Sequence, residues 1–277
     1  MIGRLISVAG EEFKYNWVYY KHQISVSESQ NAKVLVNGSP KTGTTWMYKM
    51  IASLPGYLHV GNFNGNLEKY HTVIPGYVVH GHDIYSENLK GILDKNGIRT
   101  ILMIRDPRDQ LISRMFHVKR STKHTWHERI QEMTLDELLM LCIEGREDLP
   151  GTDSMINLTL GWLNSNSGAL FMRYEELLGD PVPNFAKVLR HIGIEKNVES
   201  LADVIVERNR FERLSMGKRI WENGRKPGQE NNNSHFRKGI TGDWKNYMKS
   251  EHVARFKEVA GEQLIELGYE KDNDWSV

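Results

Sequence analysis

A glycine-rich turn with a lysine at its apex is the first feature of this sequence that could do chemistry. The segment NGSPKTGTTW, residues 37–46, follows the apolar run KVLV and places Gly38 and Gly43 on either side of Lys41. Glycines let backbone N–H groups converge on an anion, and the N-terminal end of a following helix adds positive charge. A Walker A loop has its lysine directly after the second glycine, where this chain has Thr44. The spacing fits an anion-binding loop as well as it fits a tight strand-to-helix turn with a solvated lysine.

Two polar residues at helical spacing could hold a second anion. The segment TILMIRDPRDQLISRMFH begins as an apolar run that leads to Arg105, and Ser113 lies about two helical turns further on. Asp106 can cap that helix, and Pro107 suits its first position. An arginine fork and a serine hydroxyl could grip one phosphate, although Arg-Asp-Pro at the end of a strand is also often a salt-bridged corner.

Two cations beside a glycine form a third candidate cluster. In FRKGITGDWK, Arg237 and Lys238 directly precede Gly239. Such a loop could clamp a phosphate, or its cations could simply be solvated. Because each of the three clusters has an ordinary structural explanation by itself, only their joint presence supports a functional argument.

Alternating strands and helices must position these clusters. Short β-rich apolar runs at KVLVNG, GYVVHGH, IRTILMIR and ALFMRYEEL alternate with longer helical patterns, which is typical of a parallel sheet covered by helices. Thr134 and Glu137 form a capping box that opens a helix ending at Gly145, and Pro181 opens another that ends at Gly193. The sequence therefore predicts an α/β fold with a P-loop-like doubly wound parallel sheet flanked by helices.

Composition restricts the classes of partner. The chain has 36 Lys and Arg against 35 Asp and Glu, so its net charge of +1 gives no general attraction to nucleic acid or to an anionic membrane. The single cysteine, Cys142, fits a reducing compartment and leaves no Cys-based zinc cluster. No apolar run reaches the ~18 residues of a membrane span, and the first residues lack the apolar run of a signal peptide. We expect a cytoplasmic protein that binds neither nucleic acid nor membrane.

One domain is the simplest organisation, because residues 1–277 show no internal repeat and no break in composition. Residues 1–30 form an aromatic-rich lead-in whose role the sequence leaves open. Residues 215–240 contain Gly, Asn and basic residues, and a loop of this length is usually functional or disordered. We expect this segment to be a mobile flap.

The three clusters together resemble the cytosolic-type sulfotransferase family. The resemblance rests on PKTGTTW, on an arginine with a serine eight residues later, and on RKGITGDWK, in the same order from about residue 30 to about residue 250. It implies that the donor 3′-phosphoadenylyl sulfate (PAPS) binds here and that no metal is needed, which accounts for the missing Walker lysine. Carried over by position, the resemblance assigns the 5′-phosphosulfate to Lys41, Thr42, Gly43, Thr44 and Thr45, the 3′-phosphate to Arg105, Ser113, Arg237, Lys238 and Gly239, and the adenine to Trp46 and Phe211, with Tyr174 nearby.

The resemblance also implies a general base. In YVVHGHDIY, His82 follows a β-rich run at the place where the family has Lys-Thr-His, whose histidine accepts the acceptor's proton. A histidine titrates near neutrality, which suits that role, and Lys41 would neutralise charge on the leaving oxygen. Catalysis is therefore expected to depend on His82 and Lys41.

Two departures from the family pattern leave questions open. His80 stands where the family has its lysine, so that lysine's contribution is either absent or supplied by His80 as an imidazolium. The short dimerisation motif that many members carry soon after GDWK is not evident in NYMKSEHVARF, so no dimer is assumed.

The expected activity is transfer of a sulfuryl group from PAPS to a hydroxyl or amine of a small molecule, with release of adenosine 3′,5′-bisphosphate (PAP). The alternatives are a P-loop kinase or NTPase, and a nucleotide-binding homologue without catalysis. We expect residues 57–77 and 215–236 to line the acceptor pocket, where Glu68, His71 and Asp83 suggest a polar acceptor. A specialised metabolite, a phenol, a steroid and an amine all remain open.

Overall fold

Five parallel strands form one sheet in the part of the chain that the computed structural model describes, residues 31–146, 148–216 and 224–277. The predicted parallel sheet is confirmed, and each of the four apolar runs contributes a strand to it. The additional strand, LHVGN, contains Gly and Asn, which are unfavourable in strands, so its sequence gives no strand signal. The strands are β1 (Lys33–Asn37), β2 (Leu58–Asn62), β3 (Tyr77–His80), β4 (Ile98–Ile104) and β5 (Leu170–Arg173).

The order of the strands across the sheet is β2-β3-β1-β4-β5. β1 pairs with β3 on one side, where Val36 is opposite His80, and with β4 on the other, where Val36 is opposite Ile101. The chain runs from β1 to β2 and β3 on one side and then crosses to β4 and β5 on the other, so the strand order reverses at β1. Ligands of open α/β sheets bind at the carboxyl ends of the strands near such a point. The glycine-rich turn follows β1 directly, so the topology places it at that crevice.

Helices cover both faces of the sheet. Two of their predicted boundaries can be checked against the capping residues: the Thr134–Glu137 capping box is present, and the Asp106 side chain accepts from the Arg108 N–H at 2.9 Å. The helices in the described ranges are α1 (Thr44–Ala52), α2 (Glu87–Lys95), α3 (Pro107–Arg120), α4 (Leu135–Glu144), α5 (Thr152–Leu163), α6 (Tyr174–Gly179), α7 (Pro181–His191), α8 (Val198–Arg208), α9 (Phe211–Leu214) and α10 (Ser250–Glu266), with 3₁₀ turns at Leu67–Thr72 and Asp243–Asn246.

Apolar residues on the two faces of the sheet form separate cores, because successive strand residues face opposite sides. Val34 and Val36 of β1 pack in a cluster that includes residues of α1, α7 and α8. Leu35, between them, packs in a second cluster with residues of α2 and α5. β1 is thus buried on both faces, which fixes the position of the turn that follows it.

The predicted lead-in, residues 1–30, lies wholly outside the described residues, and so do residues 217–223 of the predicted flap. Residues 224–240 form a loop whose arms are hydrogen-bonded to each other, since the Gly228 N–H donates to the Lys238 carbonyl at 2.8 Å. The mobility of this segment stays a prediction.

Candidate active site

A pocket of about 310 Å³ opens at the carboxyl ends of β1, β3 and β4. The structure brings the predicted site residues together there, because every one of them except Thr42 lines the pocket. Residues that the sequence did not single out as site residues also line it, chiefly His117, His235, Leu178, Leu214, Phe236 and Ile240.

The loop after β1 turns through three residues with positive φ. Gly38 has φ of 151° and Gly43 has φ of 98°. A Cβ at Gly38 would lie 2.5 Å from the Met103 carbonyl oxygen, and a Cβ at Gly43 would lie 2.8 Å from Cδ2 of Tyr174. Lys41 has φ of 75° although it carries a side chain, and a left-handed conformation strains an L-residue.

Two polar side chains hold this loop from inside. Oγ1 of the buried Thr42 donates to the Ser39 carbonyl at 2.8 Å, so this hydroxyl closes the turn. Nε2 of Gln110 on α3 donates to Oγ of Ser39 at 2.8 Å and to the Pro40 carbonyl at 2.7 Å. No described side chain caps α1, which starts at Thr44, so the first N–H groups of that helix are available to an anion.

The Lys41 ammonium is surrounded by positive charge. Burial, followed by the charges of Arg120 and Arg105, lowers the pKa of Lys41 to about 7. Among the described residues, no aspartate or glutamate lines the pocket. Lys41 is therefore close to losing its proton near neutral pH, and a bound anion would hold the proton in place.

His82 is oriented by the backbone of the same loop. Its Nδ1 lies 2.6 Å from the Gly38 carbonyl oxygen, which can only accept, so Nδ1 carries the proton and Nε2 is the basic nitrogen of the neutral ring. Reciprocal hydrogen bonds between Asn37 and the backbone of Asp83, both at 2.9 Å, tie the end of β1 to the segment carrying His82. Burial lowers the pKa of His82, although the bond to Gly38 opposes the shift.

His80 does not act as an imidazolium. Its Nδ1 lies 2.8 Å from Nε2 of His59, whose ring stacks on Tyr48 with centroids 3.9 Å apart. Burial, followed by the neighbouring His59 and His82, lowers the pKa of His80 to about 4. The ring is neutral at pH 7, so it cannot supply the positive charge of the family's lysine.

Arg105 bridges the loop and the segment that follows Gly239. Its Nη1 donates to the Lys41 carbonyl at 3.3 Å and its Nη2 to the Ile240 carbonyl at 3.4 Å, and its guanidinium lies 4.4 Å from the Tyr174 ring centroid. Its Nε is buried and has no partner among the described residues. An unpaired buried donor costs about 1–3 kcal/mol, so this side of the pocket, which Ser113 also lines, has a place for an acceptor.

The cations at residues 237 and 238 are already paired. Arg237 binds both Glu230 and Asp243, and Nζ of Lys238 lies 2.6 Å from Oδ1 of Asp243. Burial by itself would lower the pKa of Arg237, but the hydrogen bonds and charges of Asp243, Tyr247 and Glu230 together outweigh it and raise the pKa. We call Arg237, Lys238, Glu230 and Asp243 the clamp side of the pocket, and Lys41 with His82 the loop side.

Three aromatic rings line the pocket between these groups. Trp46 and Tyr174 meet edge to face with centroids 5.8 Å apart, and the Trp46 indole N–H donates to the Asn209 carbonyl at 2.9 Å. Gly239 approaches the Phe211 ring so closely that a Cβ there would lie 2.3 Å from Cδ2 of the ring. The three rings offer flat apolar surface for a planar base.

One face of α3 carries a pocket residue that the sequence interpretation did not assign, His117, and behind it Arg120, which contacts His117 without lining the pocket itself. Ser113, His117 and Arg120 follow one another at intervals of four and three residues, so all three lie on one helix face. Nη2 of Arg120 donates to Nδ1 of His117 at 3.2 Å. Helical spacing from Ser113 is therefore a sequence signal that could have found both residues.

Three residues expected near the acceptor lie elsewhere. Asp83 is buried and accepts from the Tyr70 hydroxyl and the Gly65 N–H, each at 2.7 Å, so it stabilises the fold. Glu68 and His71 are exposed in the turn after β2 and do not line the pocket. The polar wall of the pocket comes from α3 and the segment before Arg237 instead.

Comparisons with known proteins agree with this geometry. The family model described as a sulfotransferase domain matches residues 31–268, a stretch that contains the whole pocket. Cytosolic sulfotransferase 3 of Arabidopsis thaliana is 23% identical over 277 residues, covering 91% of this chain and 85% of that protein. A flavonol sulfotransferase-like protein of Flaveria bidentis is 23% identical, covering 87% of this chain and 84% of its own.

A solved structure shares the fold. Mouse sulfotransferase SULT7A1, crystallised in complex with PAP, superimposes with a TM-score of 0.66 at 19% identity, and the match covers 88% of each chain. Across residues 31–146, 148–216 and 224–277, no helix is both long and apolar enough to cross a membrane. In the same residues, no group of three or more His, Cys, Asp or Glu side chains could hold a metal ion.

Proposed function

The chain belongs to the sulfotransferase domain family, and we propose that it transfers a sulfuryl group from PAPS to a hydroxyl or amine of a small molecule. One observation supports this most strongly: Lys41 and His82 line one pocket together with Arg105, Ser113, Arg237 and Lys238. We also propose a cytoplasmic location, which the single buried cysteine and the cytosolic relatives support.

The residues present fit PAPS. The uncapped start of α1 and the loop N–H groups suit a 5′-phosphosulfate, and the unpartnered Nε of Arg105 suits the 3′-phosphate. The close approach of Gly239 to Phe211 leaves no room for a side chain where an adenine would stack. PAP in the mouse structure is the product that such a donor would leave, which supports the same assignment.

PAPS supplies the sulfuryl group: the acceptor atom bonds to sulfur while the bond from sulfur to the bridging oxygen breaks, and its electron pair leaves with PAP. His82 takes the acceptor's proton at Nε2, because Nδ1–H is committed to the Gly38 carbonyl. The lowered pKa of His82 keeps the ring neutral, and therefore basic, at pH 7. Lys41 holds its proton beside the leaving oxygen and stabilises the charge that develops there.

The direct test uses labelled donor. Purified protein is incubated with PAP³⁵S and a panel of phenols, steroids, alcohols and amines, and label transfer to each acceptor is measured. Transfer to at least one acceptor without added metal is expected. A protein that transfers label to none of them is a binding homologue without catalysis.

Nucleotide preference separates the proposal from a P-loop kinase. PAP should raise the melting temperature more than Mg²⁺-ATP does, because Arg105, Ser113 and Arg237 require a 3′-phosphate. A larger rise with Mg²⁺-ATP would favour the kinase. Adenosine 5′-phosphate serves as the matched control, since it lacks only the 3′-phosphate.

A further inference from the structure

A polar wall with one cation, Arg120, lies beside the reaction centre and is not assigned to the donor. It consists of Arg120 and His117 on α3, with His235 across from them in the segment before Arg237. Nη1 of Arg120 donates to the Ser234 carbonyl at 2.7 Å, which joins α3 to the residue before His235. His117 and His235 both line the pocket that contains Lys41 and His82.

The hydrogen bond from Arg120 determines which ring nitrogen of His117 carries the proton. A guanidinium can only donate, so Nδ1 of His117 accepts, and the proton of the neutral ring is on Nε2. Burial, followed by Lys41 and Arg120, lowers the pKa of His117 to about 4, so the ring is neutral at pH 7. Its Nε2–H is a hydrogen-bond donor that no described residue uses.

The charge of Arg120 has no counterpart in the described residues. Arg105, Arg237, Lys238 and Lys41 already account for the phosphates and the sulfate of the donor. Arg120 is half-buried, no described carboxylate pairs with it, and burial lowers its pKa. A desolvated guanidinium without an acid partner beside a pocket that lacks carboxylates is the setting in which a ligand's oxyanion is bound.

We propose that the acceptor carries an oxyanion, a carboxylate or a sulfate-like group, in addition to the hydroxyl or amine that is sulfated, and that Arg120 and His117 bind it. This inference rests on the proposed function, since it places the acceptor on the His82 side of the bound donor. Lys41 then binds the negative charge of the donor, and Arg120 binds the negative charge of the acceptor. The acceptor class narrows from any small alcohol or amine to acidic ones.

Binding to the PAP-saturated protein tests this without relying on turnover. The probes are 4-hydroxybenzoate, 4-hydroxybenzenesulfonate and the neutral methyl 4-hydroxybenzoate, titrated by calorimetry. At least one of the two anions should bind about tenfold or more tightly than the ester, and which anion is preferred identifies the oxyanion. Equal binding of all three, or no binding by any of them, overturns the proposal.

Substitutions test whether Arg120 causes the preference for anions. Arg120→Met should remove the preference for the anions while PAP affinity stays within about twofold of wild type, and Arg120→Lys should keep part of the preference. Arg190→Met, at an exposed arginine paired with Glu199 on the surface, is the matched control and should change nothing. Weaker PAP binding in Arg120→Met with an unchanged anion preference would assign Arg120 to the donor site. That result would overturn this inference and leave the proposed function intact. Wild-type protein that fails to bind PAP would overturn the proposed function and this inference together.

Discussion

Lys41 on the loop side and Arg237 on the clamp side carry the same formal charge, but the protein surrounds them differently. Arg237 is 9% exposed and bound to two carboxylates, which raise its pKa. Lys41 has no described carboxylate beside it, and burial with neighbouring arginines lowers its pKa to about 7. The clamp side is thus assembled before any ligand arrives, whereas the loop side needs an anion to complete it.

The difference indicates that the two sides of the pocket have different roles. When carboxylates already neutralise a cation, its interaction energy with the ligand changes little as the ligand's charge changes. The clamp side therefore suits a phosphate that does not react. A cation without a counter-charge gains most when negative charge grows beside it, so the loop side suits the reacting group. Five experiments test this contrast.

The largest effect is expected for Lys41→Met. Loss of the charge that meets the leaving oxygen should lower kcat by about 1,000-fold. Lys238→Met removes one cation from the clamp side and should weaken PAP binding by about tenfold while lowering kcat by less than tenfold. Steady-state kinetics at saturating donor, with calorimetry of PAP, measure both. Similar losses of kcat in the two variants would abolish the distinction between the sides.

His82→Ala should lower kcat by about 100-fold and leave PAP affinity close to wild type, because a general base acts on the acceptor. His82→Asn is the matched variant, since an asparagine amide could still donate to the Gly38 carbonyl but cannot take a proton. If the imidazole only braces the loop, His82→Asn should recover most of the activity. The wild-type rate should also rise with pH through a value below 6.5, in the direction of the lowered pKa, and both variants should lose that rise.

The affinity for PAP should depend on pH through Lys41. Binding favours the ammonium, so the Lys41 contribution is complete well below pH 7 and declines as pH rises through the pKa of about 7 in the empty protein. The affinity should fall about fivefold between pH 7 and pH 8, with proton uptake on binding at pH 8. Calorimetry in two buffers of different ionisation enthalpy measures that uptake. Lys41→Met should flatten the profile, and an equally steep fall in that variant would place the titrating group elsewhere.

The sequence predicts those features that are formed by residues adjacent in the chain. The loop, the strands β1 and β4, and the Asp106 start of α3 are encoded by adjacent residues, and the structure has them where the patterns indicate. β2 lacks a local signal, and among the described residues it lies at the edge of the sheet and pairs with β3 alone. It owes its conformation to that neighbour.

The electrostatic contrast itself depends on residues that meet only in the folded chain. Glu230 reaches Arg237 across a folded loop, and Arg120 affects Lys41 from another element. From the sequence, Arg237 and Lys238 could clamp a phosphate or be solvated, and neither alternative includes the pairing of both with Asp243 that the structure has. The charge of His80 is likewise left open by the sequence, because its partner His59 lies on β2.

Glu230→Gln should strengthen PAP binding by about three- to fivefold. Glu230 competes with a 3′-phosphate for the same guanidinium, and its side chain is 30% exposed, so removing its charge is a modest electrostatic change. Glu258→Gln, which removes a charge from a surface pair with Arg255, is the control and should have no effect. Weaker PAP binding in Glu230→Gln would mean that Glu230 holds Arg237 in place for the phosphate.

The smallest effect concerns the backbone of the loop side. Lys41 has φ of 75°, a conformation that costs an L-residue about 1–2 kcal/mol but costs glycine nothing. Lys41→Ala and Lys41→Gly lose the same amine, so the difference between their stabilities isolates the strain. Glycine also loses about 0.5–1 kcal/mol more backbone entropy on folding, so Lys41→Gly should be more stable than Lys41→Ala by only about 0.5–1 kcal/mol, or roughly 2 °C in Tm. Equal or lower stability of Lys41→Gly would show that the loop relaxes once the lysine side chain is gone, and the strain would then belong to the lysine's own placement in the pocket.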